Sequence, residues 1–312
     1  MDDEYQQGII GAPSKHALFI TLNRDQLLNS RQKQTLLRHI AKLPSLLQEQ
    51  QQVYPDAQLY LNIGLSSGLW DYLEIQPKPA GLRPFKAITN KKVTMPASDA
   101  DLLLHLRSNR HDVNYHLSQI LLSTLFPILK IDEMVHGFSY LDSRDLTGFV
   151  DGTENPEGEH RREVALINKD KHFAGGSYVH IQKYQHNLAR WQQLSVEQQE
   201  CSYGRSKAAN IEFSSSNKSS SAHTARSAIK NNQQQSVEIL RQSLPFADQH
   251  SQGLMFASYA AQADSFDLIL ASMCALDKHG DSDAILNVSK AVSGHAFFTP
   301  SASWFSALME SS

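Results

Sequence analysis

Residues 101–125 read DLLLHLRSNRHDVNYHLSQILLSTL, and the interpretation of the chain starts from this stretch. A short apolar run is followed by a polar turn and then by apolar residues at helical spacing, which predicts a strand at 102–106 and a helix at 111–125. Residues 252–275, QGLMFASYAAQADSFDLILASMCA, repeat this order with a strand at 253–259. The two halves of the chain therefore indicate two copies of one α+β unit.

The remaining segments fit the same α+β scheme. The other predicted strands are 17–22, 58–63, 133–140, 177–184, 237–241 and 296–298. The other predicted helices are 26–49, 187–200 and 265–275. Pro44 is expected to kink the first of these helices or to end it early. Two irregular stretches remain, 142–176 and the serine-rich 214–221, and such loops in a compact protein are either functional or disordered.

Composition and charge exclude several classes of protein. A length of 312 residues suffices for about two domains. The 29 Lys and Arg against 32 Asp and Glu give a net charge of −3, which argues against a nucleic-acid partner. No apolar run approaches the ~20 residues that span a bilayer, so no membrane partner is expected. Residues 1–4 are acidic, no signal sequence follows, and the two cysteines form no paired motif, so we expect a cytoplasmic protein.

Three polar residues stand in patterns that can carry chemistry, and each also has a structural interpretation. Asp151 lies in GFVDGTENP, residues 148–156, where it either serves a reaction or caps a tight turn. Arg241 ends a short predicted strand, where an arginine is commonly a solvated charge. His223 follows the serine-rich tract and is either a loop histidine or a metal ligand. The histidines within 105–116 form no HExxH pattern, so zinc hydrolase chemistry is not indicated.

Several motifs follow one another in a specific order along the chain. After RSNRHD at 107–112 and the Asp151 motif come GGSYV at 175–179, QKYQH at 182–186, Trp191, His223, ILRQSLP at 239–245 and GLMF at 253–256. This ordered set resembles the dye-decolourising (DyP-type) haem peroxidases, and within them the bacterial cytosolic branch. The resemblance covers most of the chain and is strongest from Phe138 to the end.

The resemblance implies an α+β fold of two ferredoxin-like units, whose antiparallel sheets with packed helices form a dimeric α+β barrel-like arrangement. The N-terminal unit would span residues 1–142, and the C-terminal, haem-binding unit residues 143–312. The family further implies one non-covalent haem b per chain and a homo-oligomer, a dimer or larger. The chain ends at Ser312 without the extended tail of relatives that are cargo of protein nanocompartments, so packaging is not expected.

The resemblance also assigns roles to individual residues. His223 matches the proximal ligand of the haem iron, and Asp283 resembles the acidic partner of that histidine. Asp151 matches the distal carboxylate and Arg241 the distal arginine. Because a nearby cation lowers the pKa of a carboxylate, Arg241 is expected to keep Asp151 ionised.

Three further residues complete the predicted haem pocket. Thr153 and Phe256 lie within matching motifs and are expected to contact the haem. Ser243 stands two residues after Arg241, where many relatives have asparagine. Its shorter side chain is expected to leave room for water near the peroxide.

The implied function is that of a haem b peroxidase, which reduces hydrogen peroxide and oxidises dyes, phenols or other small one-electron donors through a ferryl intermediate. In this scheme Asp151 transfers a proton and Arg241 stabilises the developing charge. One alternative is a haem-binding protein for haem carriage, sensing or iron release, and another is a haem-free scaffold. A carrier has no need of a distal acid–cation pair, so Asp151 and Arg241 favour catalysis.

Overall fold

The computed structural model describes residues 4–310. Residues 1–3, which contribute to the predicted cytoplasmic location, and residues 311–312, which include the chain end at Ser312, lie outside this range. The strands are β1 His16–Arg24, β2 Tyr60–Ser66, β3 Ile88–Thr89, β4 Thr94–Met95, β5 Leu102–Ser108, β6 Leu129–Phe138, β7 Ser177–His186, β8 Leu240–Arg241, β9 Leu244–Ala247, β10 Gln252–Ala260, β11 Ser289–Ala291 and β12 His295–Thr299. The α-helices are α1 Ser30–Val53, α2 Ser67–Tyr72, α3 His111–Leu125, α4 His160–Ala165, α5 Leu188–Gln192, α6 Val196–Tyr203, α7 His223–Ser227, α8 Ser265–Cys274 and α9 Ala302–Glu310.

The first unit has the chain order strand, helix, strand, strand, helix, strand. Across its sheet the strands lie in the order β6-β1-β5-β2, and all neighbours are antiparallel. Counted along the unit, this is the order fourth, first, third, second, which a ferredoxin-like unit of two split βαβ motifs requires. Helices α1 and α3 pack together against one face, where Leu36, Ile40, Leu117 and Leu121 are fully buried.

The second unit repeats this topology. Its strands lie in the order β12-β7-β10-β8, and β9 continues the pairing of β8 along β10. The order is again fourth, first, third, second. Helix α8 covers the outer face of this sheet, where Phe266 and Leu270 are buried in one apolar cluster with Tyr184 of β7. The duplicated unit expected from the sequence is therefore visible in the strand order.

The two halves join into one ten-stranded sheet that is nearly closed. Strand β2 pairs with β12, with Ser66 opposite Phe297. At the other edge β6 approaches β9 so closely that a Cβ on Gly137 would lie 2.9 Å from the Cβ of Leu244. The inner faces share a core whose buried members include Phe19, Leu103, Val179, Ile181, Met255 and Phe297. The predicted fold class, two ferredoxin-like units in a barrel-like arrangement, is confirmed.

Two predicted elements of the second half differ from the structure. The helix predicted at 187–200 is two helices, because the capping box of Ser195 and Gln198 starts α6 separately from α5. The strand predicted at 237–241 comprises only β8, and the four residues of β9 that follow were not predicted.

In the first half, Pro44 lies inside α1 without ending it. Leu43 and Leu46 beside it are buried in the core, and this packing holds the helix through the proline. The described helices include none with the length and apolar character needed to cross a bilayer.

His180 of β7 is a buried histidine beneath α8 that makes stability depend on pH. Its ring stacks on Phe266 with 4.4 Å between the centroids. Burial lowers the pKa of His180 to about 4, whereas a histidine of the unfolded chain titrates near 6.5. The unfolded state therefore binds more protons between these values. The free energy of unfolding should fall as the pH falls through this window, by up to about 3 kcal/mol from this residue.

We expect His180→Phe to reduce this acid-dependent loss of stability, because the ring stacking is kept and the titrating group is removed. The measurement is denaturant unfolding at pH 7 and pH 4.5. The control is His250→Phe at an exposed histidine. An equal loss of stability on acidification in the parent protein and in His180→Phe would contradict the prediction.

Candidate active site

A cavity of about 480 Å³ lies beside the outer face of the second unit's sheet, and this volume is typical of small-molecule and cofactor sites. Its apolar wall includes Leu254, Phe256, Phe266, Leu270, Met273 and Ile285. Its polar wall includes Asp145, Asp151, His186, Arg205, His223 and Arg241. The cavity thus combines a broad apolar surface with a few convergent polar groups.

His223 is the first residue of α7 and lines the cavity. Its Nδ1 lies 2.7 Å from Oδ2 of Asp283, whose side chain is fully buried. The other oxygen of Asp283 accepts a hydrogen bond from the backbone N–H of Ile285 at 3.1 Å, so both oxygens of the carboxylate are held. Because Nδ1 is bound to Asp283, Nε2 is the ring nitrogen left to bind a ligand.

The electrostatic surroundings of His223 favour its charged form. Burial lowers the pKa of His223, but the charge and the hydrogen bond of Asp283 outweigh burial, and the pKa is raised above its ordinary value. Arg241 and Asp151 also act on this imidazole, in opposite directions. The charged groups of the cavity are therefore close enough to influence one another.

The serine-rich tract that precedes His223 is joined to the chain after α8. Ser220 Oγ donates to Oδ2 of Asp277 at 2.8 Å. The backbone N–H of Ala284 donates to the carbonyl of Ser221 at 2.7 Å. These bonds fix the start of α7 beside the segment that carries Asp283.

Asp151 is held by the backbone of its own loop and lines the cavity. Its N–H donates to the carbonyl of Ser143 at 2.9 Å. Its Oδ1 accepts a hydrogen bond from the N–H of Gly152 at 2.7 Å. Gly152 has a φ of 77°, a conformation that favours glycine.

The expected lowering of the Asp151 pKa is wrong in direction. Burial raises the pKa of Asp151 more than Arg241 lowers it, and the negative charge of Asp145 raises it further. Desolvation dominates because the carboxylate lies in the cavity wall with few groups to replace water.

Arg241 is bound by Asn155, a residue that was not among the predicted site residues. The backbone N–H of Arg241 donates to Oδ1 of Asn155 at 2.9 Å, and Nδ2 of Asn155 donates to the carbonyl of Arg241 at 2.9 Å. The guanidinium Nε also lies 3.4 Å from Asn155 Oδ1. Asn155 belongs to the same GFVDGTENP motif as Asp151, and that position is the signal that points to it. One motif therefore supplies the carboxylate and the support of the arginine.

Thr153 and Phe256 line the cavity as well, whereas Ser243 is not part of the wall formed by the described residues. Phe256 packs against Phe266 with 5.7 Å between the ring centroids. Ser243 Oγ accepts a hydrogen bond from the backbone N–H of Ala257 at 3.1 Å, so this hydroxyl is bound to strand β10. The structure therefore brings six of the seven predicted site residues to the cavity or to His223, and leaves Ser243 outside the cavity wall.

Arg205 and Thr224 show what kind of ligand fits the cavity. Within the described residues, Nε of Arg205 and Oγ1 of Thr224 are buried without a hydrogen-bond partner, and both residues line the cavity. Unpaired buried polar groups are costly, so they indicate a polar ligand group at this place. Arg205 meets the carboxylate of Glu154 at 3.2 Å through Nη2 alone, which leaves Nε for an anion.

A metal at this site needs ligands from outside the protein. No group of three or more His, Cys, Asp or Glu within residues 4–310 could hold a metal ion. Haem b fits, because the porphyrin supplies four nitrogen ligands, an apolar ring for the apolar wall and carboxylates for Arg205.

Two family models together match most of the chain. The model described as Dyp-type peroxidase, N-terminal, matches residues 6–139, and the model described as Dyp-type peroxidase, C-terminal, matches residues 142–304. The chain belongs to the Dyp-type peroxidase family. A dye-decolorizing peroxidase from Mycobacterium tuberculosis is 36% identical over 249 residues, which cover 79% of this chain and 74% of that relative.

Solved structures of Dyp-type peroxidases agree in fold over nearly the whole chain. A Dyp-type peroxidase protein from Shewanella oneidensis is 36% identical, with a TM-score of 0.93 and coverage of 99% of both chains. A variant of DypB from Rhodococcus jostii in complex with heme is 32% identical, with a TM-score of 0.89 and coverage of 94% of this chain and 95% of that chain. The predicted family is confirmed. This Dyp-type peroxidase is a haem enzyme that uses hydrogen peroxide to oxidise dyes.

Proposed function

We propose that the peroxidase reaction takes place in the cavity that His223, Asp151 and Arg241 share. The observation that carries the proposal is that these three side chains line one cavity and that buried Asp283 holds Nδ1 of His223. Bound haem b would supply an iron that activates hydrogen peroxide. His223 would hold this iron through Nε2, and Arg205 would hold a carboxylate of the haem.

Asp283 acts on the reaction through His223. A carboxylate that accepts the Nδ1–H bond fixes the tautomer and the orientation of the ring and makes Nε2 a stronger donor. Thr153 and Phe256 complete the haem pocket, and Phe256 belongs to its apolar wall.

Asp151 and Arg241 act on the peroxide. Asp151 accepts a proton from one peroxide oxygen and returns it to the oxygen that leaves. The guanidinium of Arg241, held by Asn155, stabilises negative charge on the leaving oxygen. Burial raises the pKa of Asp151. At mildly acid pH the protonated and ionised forms of this carboxyl therefore differ less in free energy, so Asp151 can both accept the proton and return it.

A haem-carrying protein is the alternative, and the half-buried, desolvated Asp151 disfavours it. Burying a carboxylate costs free energy, and carriage of haem gains nothing from a carboxylate and a guanidinium at the same cavity. The reducing substrate is a small molecule, and phenols besides dyes are proposed donors.

We further propose a cytoplasmic homo-oligomer, a dimer or larger, with units divided at residues 142 and 143. Cys201 and Cys274 are both free thiols, which suits a reducing compartment. The two family models, which match residues 6–139 and 142–304, meet within a few residues of this division. Light scattering of the purified protein measures the assembly.

His223→Ala should lose most of its haem, because the only imidazole proposed as an iron ligand is removed. We expect haem affinity to fall by more than about tenfold, equivalent to at least 1.4 kcal/mol. The measurement is titration of the haem-free protein with haem, followed by absorption. His250→Ala, at an exposed loop position, is the matched control. An unchanged affinity and haem spectrum in His223→Ala would contradict the assignment.

Asp151→Asn should retain haem and react slowly with peroxide, because the amide cannot accept the proton. The rate constant should fall by about 10²–10⁴-fold. Stopped-flow absorption of the haem-loaded protein mixed with hydrogen peroxide measures it across pH. In the parent protein the rate should fall as the pH drops through the raised pKa of Asp151, since the protonated carboxyl cannot act as a base. A parent-like rate and pH profile in Asp151→Asn would exclude Asp151 as the proton acceptor.

A further inference from the structure

A buried hydrogen-bonded pair in the cavity wall, Asp145 and His186, has no assigned role in the positioning of the site residues so far. Asp145 Oδ1 lies 3.0 Å from Nε2 of His186, and the side chains are only 8% and 5% exposed. The other ring nitrogen, Nδ1, lies 2.9 Å from the hydroxyl of Ser289. Both ring nitrogens of His186 therefore have hydrogen-bond partners within the protein. The pair is held in place, and neither nitrogen is left to bind a ligand.

Asp145 organises the loop that carries Asp151. Its second oxygen, Oδ2, accepts hydrogen bonds from the backbone N–H of Thr147 at 3.0 Å and from the Thr147 hydroxyl at 2.5 Å. The backbone of Asp145 closes the same turn, since its N–H donates to the carbonyl of Phe149 at 2.8 Å. Phe149 stands two residues before Asp151. The position of the proposed proton acceptor thus depends on a turn whose internal anchor is Asp145.

The same network reaches the proposed iron ligand through Tyr203. The hydroxyl of Tyr203 lies 2.7 Å from the hydroxyl of Thr147. The Tyr203 ring stacks on Phe149 with 3.9 Å between the centroids. It meets the ring of His223 edge to face, at 5.9 Å and 76°. Asp145 therefore holds the turn before Asp151 directly and is linked, through the Thr147 hydroxyl, to Tyr203 beside the proposed iron ligand.

Asp145 can hold these contacts because it stays ionised. Burial raises the pKa of Asp145, but the hydrogen bonds and charge of His186 and the bonds from Thr147 outweigh burial and lower it. Charge-assisted hydrogen bonds are short and directional, which suits an anchor in a wall that must keep its shape.

We propose that the Asp145–His186 pair is a positioning device that fixes Asp151 and the ring of His223 at the same time. His186 lies on β7, so the pair ties the distal loop to the rigid sheet, and Thr147 with Tyr203 transmits the constraint to His223. This inference rests on the proposed roles of Asp151 and His223.

The test compares His186→Ala with His186→Gln in the haem-loaded protein. Alanine removes the bond to Asp145, whereas the amide of glutamine can donate to Asp145 and accept from Ser289. We expect His186→Ala to change the resting absorption spectrum of the haem and to slow the reaction with peroxide by about 10–100-fold, as loss of a supporting hydrogen bond does at metal sites. His186→Gln should restore both readouts towards those of the parent protein.

Two outcomes overturn the inference. One is a His186→Ala protein whose spectrum and peroxide rate equal those of the control His250→Ala. The other is equal impairment of His186→Ala and His186→Gln, which would assign the effect to side-chain volume rather than to the hydrogen bond.

If His186→Ala does not fold, Thr147→Val and Thr147→Ser provide the comparison. Valine removes only the hydroxyl that joins Asp145 to Tyr203, and serine keeps it. A haem spectrum altered in Thr147→Val and retained in Thr147→Ser supports the inference, and identical spectra overturn it. Failure of the proposed function has a separate signature, since His223→Ala would then keep its haem whatever the His186 variants do.

Discussion

The hydrogen bond between His223 and Asp283 is the interaction on which the site depends. It joins two short segments that the fold holds side by side, the start of α7 and the chain after α8. It also decides which ring nitrogen can bind a metal, because Nδ1 is occupied and Nε2 is left for the cavity. A single imidazole anchored in this way suits a metal that brings its other ligands in a porphyrin, and residues 4–310 contain no group of three or more His, Cys, Asp or Glu that could hold a metal ion.

The duplicated fold explains why the cavity lies on one unit and not between the two. The inner faces of both half-sheets are buried in the shared apolar core, so a cofactor pocket has to form on an outer face. On the first unit α1 and α3 cover that face with buried leucines. On the second unit the short α8 leaves room beside it, and the loop that carries Asp151 and the helix α7 that begins at His223 enclose this room. Rigid strands β7, β8 and β10 form its floor, which is why Arg241 and Phe256 have fixed positions.

The sequence predicted the fold and most of the site because both depend on patterns that are local in the chain. The strand–turn–helix periods revealed the duplicated unit, and the family resemblance pointed to His223, Asp151, Arg241 and Asp283, which the structure brings to the cavity or, for Asp283, to His223. The features that the sequence did not predict depend on contacts between residues far apart in the chain and on burial. The His186–Asp145 pair spans 41 residues and has no local signature. The raised pKa of Asp151 follows from desolvation, which the presence of an arginine among the predicted site residues does not reveal.

Resonance Raman spectroscopy of the reduced, haem-loaded protein tests the central claim most directly, because it detects the vibration of the bond between iron and imidazole. The account predicts such a band in the parent protein and a shift to lower frequency in Asp283→Asn. The amide keeps the size of the side chain but removes the negative charge that strengthens the donor nitrogen. A spectrum without an iron–imidazole band, or a band at the same frequency in both proteins, would contradict the account.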